Sequence, residues 1–322
     1  MAAFDTIIKE TVAFLIRCTG IPFFLLNIYA RNKVNILIYH NPSAKALKRH
    51  LACLSRHFNF ISLDLLVEAI RSKDWSLIPP KALVVTIDDG YRNNYDLLEV
   101  FKKYGVIPTI YISTQIVNTN RKFWWQFPGL VPASVKSLSH TDRLEYLEEN
   151  FEYAPTKEYP NAERQALSRE EIMLMKDFVD FQSHGRYHPV LTTCNYEECR
   201  SEIFRSKNEI KTLVGKDCKH FSFPNGDYTQ RELTLLKEAG DLSARTIDIG
   251  WNDLNTDPYR LKAMGVSDNA RINRLIIQLC GIPSAIRSVL RGNFGIKHKT
   301  VLIDESKSVK KSAKWSNGKL KK

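Results

Sequence analysis

Short apolar runs alternate with amphipathic stretches along most of the chain. The runs are rich in β-branched residues and bounded by turn residues, as expected for buried strands. They cover 34–39, 82–87, 107–112, 178–182, 220–223, 242–247 and 261–266. Between them, apolar residues recur at helical spacing over 44–58, 63–72, 93–104, 141–151, 168–175, 196–214 and 229–239. Strands that alternate with helices favour a parallel α/β architecture.

The pattern predicts one main domain over residues 34–296, with about seven strands, and three regions depart from it. Residues 1–33 form an extension whose two short apolar runs are separated at 20–22, which predicts two short helices rather than one spanning helix. Residues 113–168 combine aromatic residues, prolines and a charged helix, which is typical of an insertion that walls a binding site. Residues 297–322 are rich in lysine and serine, so we expect a disordered tail.

Composition and net charge limit the classes of binding partner that the sequence supports. The 322 residues are 43% hydrophobic and 25% charged, as in an ordinary globular protein. The net charge of +12 comes mostly from the lysine-rich tail, and no nucleic-acid motif accompanies it, so we expect no nucleic-acid partner. Six cysteines without Cys-x-x-Cys spacing are typical of a reduced intracellular protein.

The N-terminal apolar runs leave two interpretations open. No signal-peptide pattern is present, so we expect a cytoplasmic protein. Residues 1–30 either cap the fold, which is the preferred interpretation, or lie on a membrane surface. In the second case the basic tail would favour peripheral contact with the inner membrane face.

The strand at 82–87 ends in two adjacent carboxylates, Asp88 and Asp89, followed by Gly90. Neighbouring side chains on an extended backbone point in different directions. One carboxylate can therefore hold a metal while the other acts on a water molecule. A simple turn is the plainer explanation of Asp-Gly when it is taken alone.

A second motif strengthens the chemical interpretation. His184 and His188 follow a predicted strand at a spacing of four, which in a helical turn places both imidazoles on one side. Two histidines and one carboxylate are a familiar ligand set for a divalent metal with open positions. His40 ends the first strand, and Pro-Asn-Gly-Asp at 224–227 ends another. Because active sites of α/β barrels lie at the C-terminal ends of strands, we expect these groups to converge.

These motifs resemble those of the polysaccharide deacetylases, the family that shares the NodB-homology domain. Residues 86–90 (Thr-Ile-Asp-Asp-Gly) match its Thr-Phe-Asp-Asp-Gly motif, and residues 184–188 match His-Ser/Thr-x-x-His. Residues 221–226 resemble the looser form Phe-x-x-Pro-x-Gly. Tyr-His at 39–40 resembles the opening of one branch that acts on bacterial surface polysaccharides. The resemblance covers roughly 34–268.

The resemblance implies a distorted (β/α)7 barrel and metal-dependent hydrolysis of an acetyl group. The expected substrate is an N-acetylated, less commonly O-acetylated, sugar in a cell-surface polysaccharide or its precursor. Asp88 would be the general base. Three residues would hold a divalent metal, usually zinc in the family: Asp89, His184 and His188. The backbone N–H of Asn225 would stabilise the oxyanion, with Pro224 and Gly226 in the same loop.

The chain departs from the family pattern at three points. Gly185 stands where a serine or threonine usually follows the first histidine, and Ser222 stands where many members have an arginine that holds the base. The late Leu-x-x-His motif that supplies the acid is not evident, since His298 lies near the tail. His40 is the better candidate for the acid, with a hydrogen-bonded structural histidine as the alternative. Trp251 either lines the site or is buried in the core.

Two other functions explain less of the pattern. A metal-dependent amidohydrolase of a small amide would keep the metal, but the aromatic residues at 123–125 favour stacking on sugar rings. A non-catalytic glycan-binding protein would explain the missing arginine and the missing late histidine. The intact metal and base residues speak against it.

Overall fold

A parallel sheet runs through the computed structural model, which describes residues 2–282 and side chains from residue 7 onward. Its strands are β1 (Asn35–Tyr39), β2 (Asn59–Phe60), β3 (Ala82–Ile87), β4 (Thr109–Ile112), β5 (Asp180–Ser183), β6 (His220–Ser222), β7 (Ser243–Arg245) and β8 (Met264–Gly265). They lie in the order β7-β6-β5-β4-β3-β1-β8, and β2 pairs with β3. A parallel bridge between Arg245 and Leu261 continues beyond β7, and the sheet curls into a distorted barrel.

Helices surround this sheet. They are α1 (Ala2–Cys18), α2 (Ile21–Phe24), α3 (Ala44–Leu54), α4 (Leu63–Ser72), α5 (Leu98–Tyr104), α6 (Pro132–Val135), α7 (His140–Phe151), α8 (Arg169–Met175), α9 (Tyr196–Val214), α10 (Gln230–Glu238) and α11 (Ile272–Leu279). The start of α8 follows from its sequence, because Ser168 and Glu171 form a reciprocal capping box. A π-helical turn, Leu25–Tyr29, follows α2.

Burial explains why the sequence predicts this architecture. Every residue of β1 and of β3 is buried. Strands covered on both faces have continuous apolar sequences rather than alternating ones. The predicted α/β barrel is therefore confirmed. The predicted helix at 93–104 is divided into a 3-10 segment, Arg92–Leu97, and α5. The pattern did not predict β2, which has only two residues, or α11 beyond the last strand.

The segment between β4 and α8 has a small apolar cluster of its own. Its buried members are Trp124, Val135, Leu147 and Tyr153, and Val190, from beyond β5, joins the same cluster. Trp124 Nε1 donates to the carbonyl oxygen of His188 at 3.0 Å, which ties this segment to the histidine loop. The domain boundaries at 33/34 and 296/297 stay predictions. The predicted disordered tail at 297–322 lies outside the described residues.

The N-terminal segment forms two short helical arms, as the sequence predicts. Gly20 has a left-handed backbone between α1 and α2 (φ 76°). In the described part of the chain, no single helix has the length and apolar character needed to cross a membrane. The segments Ile7–Cys18 and Ile21–Tyr29 are long and apolar enough only when they are counted as one pair. The two segments are bent by 65° relative to each other.

Candidate active site

The two carboxylates after β3, Asp88 and Asp89, are buried and contact different neighbours. Asp89 has a left-handed backbone (φ 74°), as does Gly90 (φ 67°). A Cβ at Gly90 would lie 2.6 Å from a methyl group of Ile112, so this turn requires glycine. The turn directs Asp89 towards the histidine loop, whereas Asp88 faces Arg245.

Three buried side chains bring potential metal-binding atoms together. The donor atoms of Asp89, His184 and His188 all lie within 4.8 Å of one another. Asp89 Oδ1 is 3.3 Å from His188 Nε2 and 3.6 Å from His184 Nε2. His184 Nδ1 donates to the carbonyl oxygen of Ser222 at 2.8 Å, which leaves Nε2 as the basic nitrogen. One carboxylate and two imidazoles in this arrangement fit a zinc-type site.

The electrostatics of these residues favour metal-binding protonation states. Burial lowers the pKa of His184 to about 4, although the carboxylates of Asp88 and Asp89 act to raise it. Burial acts to raise the pKa of Asp89, but the hydrogen bond from His188 and the imidazoles of His188, His184 and His40 hold that pKa at about 2. A neutral imidazole and an ionised carboxylate are the forms that bind a divalent ion.

Arg245 holds the second carboxylate, and sequence reasoning missed it. Its Nη2 donates both to Asp88 Oδ2 and to the hydroxyl of Ser222. In the pairing of β6 with β7, Arg245 lies directly opposite Ser222. The guanidinium that the family resemblance places at Ser222 is thus supplied from the adjacent strand. Asp88 Oδ1 is buried without a partner among the described residues, so it is available to a water molecule.

His40 lies at the end of β1 and is held through its backbone. Its N–H donates to Asp268 Oδ1 at 2.9 Å, and the N–H of Asn41 donates to Asp268 Oδ2 at 3.0 Å. The side chain of Asn94 donates to the His40 carbonyl oxygen at 3.1 Å. The residue itself stays exposed beside the carboxylates. No sequence motif pointed to Asp268 or Asn94.

These groups open on a cavity of about 610 Å³. The segment after β4 contributes to its wall through Trp124, Trp125, Gln126, Pro132 and Lys136. Asn225 and Gly226 line the cavity, and Asn225 has a left-handed backbone (φ 58°). Pro224 is buried in the same turn and is not part of the wall. The structure thus brings together most of the predicted site residues.

Trp251 is not part of that wall. Its ring meets Tyr29 edge-on, with 5.5 Å between the ring centroids, and it packs against the main core. The neighbouring Asn252 exchanges two backbone hydrogen bonds of 2.8 Å with Val34, at the opposite end of β1 from His40. This bridge draws the stretch away from the cavity. The expectation that Trp251 lines the site is therefore corrected in favour of a core position.

Glu202 on α9 fixes the loop between the two histidines. Its Oε2 accepts the N–H groups of Arg186 at 2.6 Å and Tyr187 at 3.1 Å. Burial raises the pKa of Glu202 to about 7, although these N–H groups act to lower it. Gly185 has φ 77°, and a Cβ there would lie 2.9 Å from Glu202 Oε2. The loop thus passes too close to Glu202 for the usual serine or threonine.

A second group of potential ligands is less suited to a cation. His140, Cys194 and Glu198 also bring donor atoms within 4.8 Å of one another. Glu198 already accepts the N–H of Asn195 in a capping box. Burial lowers the pKa of His140; the carboxylate of Glu198 acts to raise that pKa, and the buried guanidinium of Arg143 acts to lower it. A guanidinium this close to the three residues opposes the binding of a cation. Among the described residues, Asp89, His184 and His188 are therefore the better candidates for holding a metal.

Comparisons with known proteins agree with this fold. The deacetylase PplD of Streptococcus pyogenes, in complex with acetate, is 16% identical with a TM-score of 0.58, and the match covers 77% of this chain and 98% of that one. IcaB of Ammonifex degensii is 14% identical with a TM-score of 0.56, over 78% and 96%. A de-N-acetylase of Aggregatibacter actinomycetemcomitans is 15% identical with a TM-score of 0.54, over 76% and 99%. At such identities these structures support the fold alone.

The family itself is identified by sequence. No curated protein matches the chain. A family profile described as polysaccharide deacetylase matches residues 78–241, just over half of the chain. That span includes both carboxylates after β3 and both histidines of the loop. The chain therefore belongs to the polysaccharide deacetylase family of hydrolases.

Proposed function

We propose that the chain is a metal-dependent deacetylase that hydrolyses an N-acetyl group of a sugar in a cell-surface polysaccharide or its precursor. One arrangement carries this proposal. A carboxylate held by a guanidinium, Asp88 with Arg245, lies next to three convergent metal-ligand donors at the wall of an open cavity.

The proposed metal ligands and the proposed base have separate roles in the hydrolysis. A divalent ion held by Asp89, His184 and His188 would polarise the acetyl carbonyl and lower the pKa of water. Asp88 takes the proton of the attacking water through Oδ1, because Arg245 occupies the other oxygen. A buried, paired carboxylate in a fixed position needs little reorganisation to do this.

The departing group favours an amide substrate. A sugar amine must be protonated to leave, and the exposed His40 lies in the same cavity as Asp88. Asn225 lies at the cavity wall with a left-handed backbone, and this position supports its N–H as the donor that stabilises the oxyanion. One structural relative is described as a de-N-acetylase. Together these observations favour N-acetyl over O-acetyl hydrolysis.

The cavity wall supports a carbohydrate rather than a small amide. The Trp125 ring lies against His188, with 4.3 Å between centroids. The hydroxyl of Tyr91 accepts from Trp125 Nε1 at 3.2 Å and from Gln126 Nε2 at 3.0 Å, which fixes the indole. A fixed aromatic face with polar neighbours suits the apolar face of a sugar ring.

The contact of Arg245 with Asp88 also bears on the non-catalytic alternative. That alternative was motivated in part by a missing arginine at Ser222. Arg245, on β7, donates to both Asp88 and Ser222. The absence of an arginine at position 222 is therefore a weaker argument for a non-catalytic protein. A tethered base supports turnover rather than binding alone.

The test measures bound metal and acetate release on the same preparations. We expect the wild type to bind one divalent ion and to release acetate from N-acetylglucosamine oligomers. Asp89→Ala should lose both. Asp88→Asn should keep the metal and lose acetate release by at least about a hundredfold. Asp96→Asn, an exposed carboxylate outside the cavity, is the matched control. Full activity of Asp88→Asn, or acetate release that survives complete metal removal, would contradict the proposal.

A further inference from the structure

Exposed apolar side chains are concentrated near the N-terminus. Ten of the eighteen large hydrophobic side chains that are exposed in the described part of the chain belong to residues 7–29. We call their outward side the N-terminal apolar face, represented by Ile8, Val12 and Leu15 on α1 and by Phe23, Phe24 and Ile28 beyond the bend. Contiguous apolar surface of this kind marks an interaction site in a soluble domain.

The orientation of α1 is set by polar contacts with α11. The Glu10 carboxylate accepts the N–H groups of Asn273 at 3.3 Å and Arg274 at 3.4 Å, at the start of α11. Arg17 donates to Asn273 Oδ1 at 2.9 Å. Ala13, between them on the same helical face, is fully buried. The side of α1 that faces the protein therefore carries Glu10, Arg17 and the small residue Ala13.

The opposite side of α1 is apolar. Ile8, Val12 and Leu15 are separated by three or four residues, so they form one stripe, and Leu15 is 60% exposed. A surface helix normally turns its apolar stripe towards the core and its charges towards water. In this helix the apolar stripe is exposed instead, which is unfavourable in water and favourable when the stripe contacts lipid.

The charges around the face complement an anionic surface. Residues 18–30 contain no charged side chain. Residues 7–33 contain four basic side chains, Lys9, Arg17, Arg31 and Lys33, and one acid, Glu10, which is turned towards α11. Basic residues at the border of an apolar helix are attracted to anionic headgroups. The same charges would repel a second copy of this face.

The bend indicates a position on the bilayer surface rather than across it. Each arm is shorter than the roughly 20 residues that span a bilayer. The contacts of Glu10, Ala13 and Arg17 cover one side of α1, so lipid cannot surround it. We propose that the N-terminal apolar face docks the protein on an anionic lipid bilayer, with both arms lying in the plane of the interface.

Vesicle binding of the full chain tests this. The wild type is mixed with phosphatidylcholine vesicles that contain about 30% phosphatidylglycerol, because anionic headgroups attract basic side chains at the border of the face. Bound protein is measured by co-sedimentation. We expect Leu15→Glu/Phe23→Glu to lower vesicle partitioning by at least about tenfold. Leu174→Glu/Ile107→Glu, which changes two other exposed apolar side chains, should bind like the wild type. Circular dichroism and bound metal verify that each variant is folded.

A second measurement reports insertion directly. Cys18 is exposed at the end of α1, whereas Cys53 is partly exposed and Cys194, Cys199, Cys218 and Cys280 are buried. In a Cys53→Ser background, an environment-sensitive fluorophore on Cys18 should shift to the blue when vesicles are added. Three outcomes would overturn the proposal: no vesicle binding by the folded wild type, equal binding by Leu15→Glu/Phe23→Glu, or a wild-type dimer that this variant dissociates while vesicles have no effect.

Discussion

Arg245 holds Asp88 from across the barrel. Their strands, β7 and β3, are separated in the sheet by β6, β5 and β4, so the contact forms only because the sheet curls. Arg245 is 1% exposed and Asp88 is 5% exposed. Burying two charges is costly unless hydrogen bonds complete the pair, and the hydroxyl of Ser222 supplies one of these bonds.

Arg245→Met should separate metal binding from turnover. The substitution leaves Asp88 as a buried charge without its partner, so the free energy of unfolding should fall by about 3–5 kcal/mol. Acetate release should fall by at least about a hundredfold, while bound metal is retained. Urea unfolding and metal analysis check these results. The double variant Asp88→Asn/Arg245→Met should regain part of the stability and none of the activity. Wild-type acetate release by Arg245→Met would refute the assigned role.

His40→Gln should affect substrates according to their leaving groups. A sugar amine needs a proton to depart, whereas the phenolate of p-nitrophenyl acetate does not. We expect acetate release from N-acetylated oligosaccharides to fall by at least about a hundredfold, and hydrolysis of the activated ester to fall by less than about tenfold. His57→Gln, an exposed histidine outside the cavity, is the control. Equal losses on both substrates would show that His40 is not the acid.

Gly185→Ala and Gly215→Ala form a matched pair. Both glycines have φ 77°, but a Cβ at Gly185 would lie 2.9 Å from Glu202 Oε2, whereas a Cβ at Gly215 meets nothing within 4 Å. Both variants should lose about 1 kcal/mol of stability through backbone strain. Only Gly185→Ala should also weaken metal binding, because crowding moves the histidine loop. Competition with a chelator measures the metal affinity. Equal metal affinity in the two variants would contradict this explanation.

Glu202→Gln should change how stability depends on pH. The folded-state pKa of Glu202, about 7, lies above its ordinary value of 4.5. The stability contributed by protonated Glu202 is therefore complete below pH 4.5 and is lost as the pH rises through 7. As the pH rises from 4.5 to 7, the wild type should lose stability relative to Glu202→Gln. The difference in unfolding free energy between them should change by up to about 3 kcal/mol. Urea unfolding of the metal-free proteins at several pH values measures it.

Glu232→Gln is a control for which we expect the opposite dependence of stability on pH. The pKa of Glu232 is lowered: burial acts to raise it, but the hydrogen bonds of Thr229 and the charge of Arg231 outweigh burial. Ionised Glu232 therefore stabilises the fold above its ordinary pKa, and this contribution is lost in acid. Relative to the wild type, Glu232→Gln should become less stable as the pH rises. The same trend in both variants would rule out the electrostatic explanation.

The sequence predicts what is local and misses what the fold assembles. The buried strands β1 and β3 have continuous apolar sequences, and both carboxylates follow β3 directly. Arg245 was missed because its relation to the motif at Ser222 exists only in the pairing of β6 with β7. Asp268 was missed because its partner, the backbone of His40, lies 228 residues earlier. A charged residue in the buried run 242–247 was the available signal for Arg245.

The stretch matched by the family profile, residues 78–241, contains all three proposed metal ligands. It ends before Arg245 and Asp268, and it begins after His40. That stretch therefore holds the proposed ligands together with the proposed base, Asp88, whereas the guanidinium that tethers the base and the proposed acid come from outside it. The proposed site is complete only where β1, β3 and β7 close on one another.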